Sequence, residues 1–170
     1  MAKPKNLLDI DSLSQQDIGN IFELASQKQL PSLNGKTLIN LFFENSTRTR
    51  SAFEMAAHNL DVKVINIDVS TSSLKKGESE VDTIVTLDAM RPDFITIRHG
   101  NAGAVELLST YANAAIINSG DGAHAHPTQA LLDAYTVLER KGHIKGLKIA
   151  ICGDIINSRV ARSDIAIFKK

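Results

Sequence analysis

Five short apolar runs punctuate this chain: TLINLFF at 37–43, VKVINI at 62–67, DFITIRH at 93–99, AAIIN at 114–118 and LKIAIC at 147–152. Between them lie segments of helical period. Ile18, Ile21, Phe22 and Ala25 fall on one helix face, as do Ala52, Phe53, Ala56 and Leu60. Val81, Ile84, Val85 and Ala89 repeat the spacing, followed by Ala104, Leu107, Leu108 and Tyr111, and by Leu131, Leu132, Tyr135 and Leu138. Strands of about five residues alternating with helices of about ten to fourteen predict an α/β fold, a parallel sheet with helices on both faces and right-handed crossovers. Local signals agree. Ser14 and Asp17 have the spacing of a capping box, Pro127 suits a first helical position, and Gly142 stands where that helix should stop. Residues from about Ser158 read as a last helix.

A sheet of this kind binds its ligands beyond the carboxyl ends of its strands. That rule selects the loops at 44–50, 68–77, 98–103, 118–127 and 153–159, which hold most of the unusual chemistry.

Charge does not point to a polyanionic partner. Lys plus Arg and Asp plus Glu are 19 each, so nothing global favours nucleic acid or an anionic membrane. The longest apolar runs, at 41–43 and 114–117, are too short to span a bilayer. Residues 1–11 carry Lys3 and Lys5 but no apolar leader core. The single cysteine, Cys152, has no internal disulfide partner, which suits a reducing compartment. The expected location is cytoplasmic.

Ser46, Thr47, Arg48, Thr49 and Arg50 crowd the point where a strand hands over to a helix. Free backbone N–H groups, hydroxyls and a guanidinium fork would together hold a phosphate or carboxylate. The alternative is a Ser/Thr helix cap with two surface arginines. The segment is not a P-loop, because Gly-x4-Gly-Lys is absent. In STSSLKKGES at 70–79, Ser72 and Lys76 could address an anion, or could belong to a solvated loop before a helix starting at Glu78 or Ser79. Arg98 and His99 close the third strand at the ligand edge, where a plain solvent-facing arginine is the competing reading.

DGAHAHPTQALLD at 121–133 carries His124, His126 and Gln129. No cysteine or carboxylate completes a convincing metal set around its His-x-His spacing. His126 donating to a substrate carbonyl, with Gln129 in the first helical turn beside it, is the better reading; a cap neighbour is the plain one. CGDIINSRVARS at 152–163 lacks Gly-x-Gly-x-x-Gly, so no dinucleotide fingerprint is present. Arg159 and Arg162 fall near that helix start and could equally be solvated.

FFENSTRTR, SSLKKGES, RHG, HAHPTQALLD and GDIINSRVARS, in this order and spacing, closely resemble the catalytic chains of the aspartate carbamoyltransferase family over residues 7–163. Ornithine carbamoyltransferase shares Ser-Thr-Arg-Thr-Arg. It usually carries His-Pro-Cys-Gln where this chain has His126-Pro127-Thr128-Gln129, and it usually lacks the Ser72 to Gly77 loop pattern. Both differences favour the aspartate enzyme.

The resemblance implies transfer of a carbamoyl group from carbamoyl phosphate to L-aspartate, a step of pyrimidine synthesis. Ser46, Thr47, Arg48 and Thr49 would cradle the phosphate. Thr49, Arg98 and His126 would bond the carbamoyl oxygen, and Gln129 the nitrogen. Arg159 would hold an aspartate carboxylate. Ser72 and Lys76 would reach a neighbouring subunit's site, implying a homotrimer, with a regulatory chain as a further family partner. Arg48, Thr49, Arg98 and His126 form the expected catalytic set. Preorganised donors suffice for this chemistry, so neither a cofactor nor a metal is expected.

The same resemblance divides the chain into a carbamoyl phosphate-binding domain at 1–133, then a linker helix and the start of an aspartate-binding domain at 134–170. The family's second domain would be cut short at Lys170, leaving the 147–152 strand with an exposed edge. Two further readings therefore stand: a phosphate-binding fragment without turnover, and an assembly subunit whose 70–79 loop completes a partner's site.

Overall fold

The computed structural model describes residues 6–68 and 77–170. In chain order the elements are α1 (Gln15–Ser26), β1 (Thr37–Phe42), α2 (Thr47–Asn59), β2 (Lys63–Asp68), α3 (Glu80–Ala89), β3 (Phe94–His99), α4 (Ala104–Ser109), β4 (Ala115–Asp121), α5 (Pro127–Lys141) and α6 (Arg159–Phe168). The boundaries of the first four predicted strands hold to within a residue, except that β4 runs on through Gly120 to Asp121; α4 ends at Ser109, short of Tyr111. Helix starts follow the capping chemistry. Ser14 and Asp17 form a reciprocal capping box on α1, and Ser79 and Asp82 form another on α3. Pro127 opens α5, and Gly142 ends it in the left-handed conformation at φ 76°.

Four strands form one parallel sheet in the order β2-β1-β3-β4. Chain order reverses on either side of β1, so the crevice between the carboxyl ends of β1 and β3 is the topological switch point. Alternation along the strands sends Ile39, Leu41, Ile95, Ile97 and Ile116 to one face, where Ile84, Leu87, Val105 and Leu108 of α3 and α4 close the main core. Leu38 faces the other way, against Ala57 and Phe53 of α2. A third apolar cluster ties α1, α5 and α6 together through Ile18, Ala130, Leu131, Ala134 and Ile167, with Ile10 and Leu13 ahead of α1.

One row of the sheet is polar. Asn40 is fully buried and in register with Asn66 and Thr96. It donates to Asn66 Oδ1 at 2.9 Å and accepts from Thr96 Oγ1 at 2.5 Å. The row is satisfied internally, so burial does not leave Asn40 orphaned.

The run at 147–152 is not a strand, contrary to the periodicity. Residues 148–150 are exposed. The outer edge of β4 is already taken by the N-terminal segment: Leu7 N donates to Ile116 O at 2.9 Å, and Leu7 O accepts from Asn118 N at 2.8 Å. The run joins neither edge strand of the sheet, and unpaired it gains no ladder of hydrogen bonds. Cys152, at its end, is exposed.

Candidate active site

Beyond the switch point lies a cleft of about 560 Å³. Its walls come from four places in the chain. Ser46, Arg48, Thr49, Phe53 and Ala56 come from β1's carboxyl end and α2; Arg98 comes from β3; His126, Thr128, Gln129 and Leu132 come from the start of α5; Arg159 comes from the start of α6. Thr47 is the first residue of α2 and is exposed outside the cleft lining. Ser72 and Lys76 lie outside the described residues.

Ser46 occupies the N-cap position of α2 without capping it. Its hydroxyl donates sideways to Thr49 Oγ1 at 2.9 Å. Among the described residues the opening N–H groups of α2 therefore have no side-chain cap, although Ser is among the best caps. This removes the simple capping reading of Ser46. What remains is a helix start with free donors, its positive dipole end and the Arg48 guanidinium beside it.

Arg98 reaches the same point from β3. Its Nη1 lies 3.5 Å from Thr49 Oγ1 and donates to Ser119 O at 3.3 Å. Its Nε donates to Glu44 Oε2 at 3.1 Å. Arg159 Nη2 donates to the same Glu44 oxygen at 2.8 Å. One carboxylate thus braces two guanidinium groups that would otherwise repel. Burial tends to raise the Glu44 pKa, but hydrogen bonding and charge from Arg159, then Arg98, hold it below the usual carboxylate value. Burial lowers the Arg98 pKa, and Arg159 adds to this.

Arg159 is seated by two glycines. Its Nη1 donates to Gly122 O at 3.0 Å. Its Nε lies 3.0 Å from where a Cβ on Gly120 would be. Gly120 belongs to a bulge: Ile97 pairs with Asn118 but His99 pairs with Asp121, so β4 spends one more residue than β3 over the interval. A bulge of this kind bends the strand and raises its local twist.

His126 is buried and lies among cations. Burial first, then Arg98 and Arg159, lower its pKa to about 4, against a smaller opposing pull from Asp121. It is therefore a neutral imidazole at pH 7. Its backbone N donates to Ser163 Oγ of α6 at 2.9 Å, and Thr128 Oγ1 is 3.4 Å from its Nδ1. Gln129 Nε2 donates to Asp133 Oδ1 at 2.9 Å.

The two histidines of the His-x-His spacing part company. His126 lines the cleft, while His124 Nδ1 lies 3.1 Å from Asp121 Oδ2. Among the described residues no group of three or more His, Cys, Asp or Glu could hold a metal ion. Nor, among them, is any helix long and apolar enough to cross a membrane. Arg162 points away, its Nη2 on Ile156 O at 3.1 Å.

Sequence reasoning passed over Glu44, Asp133, Ser163 and Asp164. Glu44 was accessible to the strand-end rule that selected Arg98, since it follows β1 by two residues. The other three depend on α6 packing against α5, a contact between helices that periodicity does not specify.

The family model for the aspartate/ornithine carbamoyltransferase carbamoyl-P binding domain matches residues 5–139. The aspartate carbamoyltransferase catalytic subunit of Beijerinckia indica is 54% identical over 170 residues, covering 95% of this chain and 54% of the relative. That of Parvibaculum lavamentivorans is 55% identical, covering 95% and 52%. Among solved structures, aspartate transcarbamoylase from Trypanosoma cruzi in complex with carbamoyl aspartate and phosphate superposes with a TM-score of 0.93 at 37% identity, covering 98% of this chain and 54% of that one. The same enzyme in complex with carbamoyl phosphate and aspartate gives 0.92 at 37%, again covering 98% and 54%. The chain spans about half the length of the curated relatives it matches. A parallel sheet with its cleft at the switch point, a family model covering most of the chain and these relatives agree: the chain belongs to the aspartate/ornithine carbamoyltransferase family.

Proposed function

We propose that this chain carries the carbamoyl phosphate half-site of an aspartate carbamoyltransferase, which transfers the carbamoyl group from carbamoyl phosphate to the amine of L-aspartate. The observation that carries this reading is the uncapped start of α2, with Ser46 turned to Thr49 and Arg98 converging on the same hydroxyl. Phosphate sits against the α2 N–H groups, Ser46 and Arg48. The aspartate amine attacks the carbonyl carbon, the carbon–oxygen bond to phosphate breaks, and the departing phosphate takes up the proton that the amine loses. Negative charge develops on the carbonyl oxygen and on the leaving group. Thr49, Arg98 and His126 supply donors for that oxygen in a site that needs no protein nucleophile.

The state of His126 supports its part. Thr128 Oγ1 lies 3.4 Å from Nδ1; in the tautomer whose Nδ1 accepts there, Nε2 carries the proton, and a neutral N–H donor is what a developing oxyanion needs. Gln129 bonds the carbamoyl nitrogen, and Arg159 receives an aspartate carboxylate. On this reading residues 1–133 form the carbamoyl phosphate-binding domain, and 134–170 the linker helix and the start of an aspartate-binding domain. Ser72 and Lys76 serve a neighbouring subunit in a cytoplasmic homotrimer, to which a regulatory chain can attach.

Calorimetric titration of the chain with carbamoyl phosphate, alongside an assay for carbamoyl aspartate, tests the reading. Binding with turnover supports the full reaction. Binding without turnover supports a phosphate-binding half-site. No binding of carbamoyl phosphate at millimolar concentration sinks the reading.

A further inference from the structure

Helix α6 does more than carry Arg159 into the cleft. Ser163 accepts the backbone N–H of His126. One residue on, Asp164 faces Asp133 of α5, the residue that accepts from Gln129 Nε2. Asp164 Oδ1 is buried and has no hydrogen-bond donor. Two carboxylates in contact cannot hydrogen bond unless one carries a proton. Each helix thus brings a carboxyl group to the same place, directly behind a residue that lines the cleft.

We propose that Asp133 and Asp164 share one proton across the α5–α6 contact, and that this pair is a positioning device for Gln129, fixing its amide so that Oε1 is left for the cleft. The role assigned to the amide rests on the carbamoyl phosphate reading above. The chemistry of the contact sets the direction. An ionised carboxylate only accepts, so the Gln129 atom on Asp133 is nitrogen. The amide oxygen is then the free group, and it selects a ligand that presents N–H donors. A carbamoyl group does so, and an acetyl group of the same shape does not. Were Asp133 to hold the proton, it could donate to the amide oxygen and turn the nitrogen outward. With the proton held between the two carboxyl groups, Asp133 Oδ1 is left to accept from Gln129 Nε2.

Burial and the Asp133 charge, with the carboxyl–carboxyl hydrogen bond, raise the Asp164 pKa to about 6. The charged group set against Asp164 is Asp133 of α5. Above about pH 6 the shared proton is lost, and Asp133 keeps Gln129 but loses its second anchor.

Two measurements on the full 170-residue chain test the pair. The first needs no ligand: the Gln129 side-chain amide signal is followed by NMR from pH 4.5 to 8. It is expected to shift with a midpoint near pH 6 in the wild type, and to stay flat in Asp164→Asn, where an amide donates to Asp133 at every pH. The second compares calorimetric affinities for carbamoyl phosphate, acetyl phosphate and inorganic phosphate. Asp133→Ala should lower the preference for carbamoyl over acetyl phosphate by about tenfold, the scale of one hydrogen bond, with inorganic phosphate affinity kept within about twofold. Asp133→Asn retains an acceptor oxygen and should restore most of the preference. A wild-type amide signal without a transition between pH 5 and 7, or a preference unchanged in Asp133→Ala, overturns the proposal. If the wild type binds carbamoyl and acetyl phosphate equally, the amide has no selective role and the carbamoyl reading fails with it. The ligand-free titration then still decides whether the proton is shared.

Discussion

Arg159 Nη1 donates to the carbonyl oxygen of Gly122 at 3.0 Å, and Gly122 is a residue that cannot become anything larger where it stands. It holds φ at +49°, and an added Cβ would lie 2.5 Å from Ala102 N. That neighbour is backbone and cannot swing aside. Gly122→Ala must therefore displace the loop that carries the Arg159 acceptor. The expected cost is about 1–3 kcal/mol of stability, read from urea midpoints at constant slope. Aspartate affinity in a complete enzyme should fall together with it. A variant as stable as the wild type would show that the loop yields easily and that the glycine is not needed for this geometry.

The electrostatics of His126 make a pH prediction. Its pKa in the folded chain is about 4, against 6.5 for an ordinary histidine. Between those values the unfolded chain binds more protons, so stability rises with pH across the interval and is lost as pH falls from about 6.5 through 4. Its ceiling is roughly 3 kcal/mol by linkage. Asp164 works the other way: its raised value makes stability fall as pH rises from 3.8 through about 6. Replacing His126 by Asn should flatten the rise and expose the Asp164 fall in urea unfolding from pH 4 to 7. In a complete enzyme His126→Ala should lower kcat by about 10²–10³, the usual loss for one oxyanion donor. An imidazole signal titrating near 6.5 by NMR would contradict the buried, cation-facing environment.

Much of this site was legible in the sequence because parallel sheets place ligands at strand ends. That single rule brought Ser46, Arg98 and His126 to one cleft from three distant segments, whereas Arg159 arrives on α6, after a run that is not a strand. The 147–152 run shows where such reading stops. Ile and Leu content reports burial potential, but a strand also needs a partner, and this run pairs neither with β4, whose outer edge holds Leu7, nor with β2. The Glu44 brace and the Asp133–Asp164 contact escaped for a related reason. Each joins charged side chains from separate segments, and neither leaves a periodic trace.

Glu44 yields a prediction about anion binding. Its carboxylate stands beside Arg98 and Arg159 and cancels part of the positive field an incoming anion would meet. Glu44→Gln retains an acceptor oxygen for the guanidinium groups but removes the charge. Inorganic phosphate should bind about three- to tenfold more tightly to the variant at low salt, with the gain shrinking as ionic strength rises. Titrations at 20 and 300 mM salt decide it. Weaker binding at both would mean that the brace holds Arg98 in place more than its charge opposes the ligand.

Ser46 separates two roles that look alike in a sequence. A capping serine replaced by alanine costs about 0.5–2 kcal/mol of stability. Ser46 stands at the N-cap position of α2 but makes no capping bond, and its hydroxyl goes to Thr49 Oγ1 instead. Ser46→Ala should therefore change unfolding free energy by less than about 0.5 kcal/mol, within the range of an ordinary surface substitution. Its effect should appear on phosphate affinity, through one lost donor and a loosened Thr49. That loss should be about three- to tenfold, corresponding to one modest hydrogen bond. Ser79→Ala is the matched control, because Ser79 does cap α3, accepting from Asp82 N at 3.0 Å. It should lose stability on the scale of a broken cap. The comparison needs only urea melts and phosphate titrations of both variants. If Ser46→Ala loses as much stability as Ser79→Ala, Ser46 is a cap after all, and the free N–H groups on which the phosphate reading depends are not free.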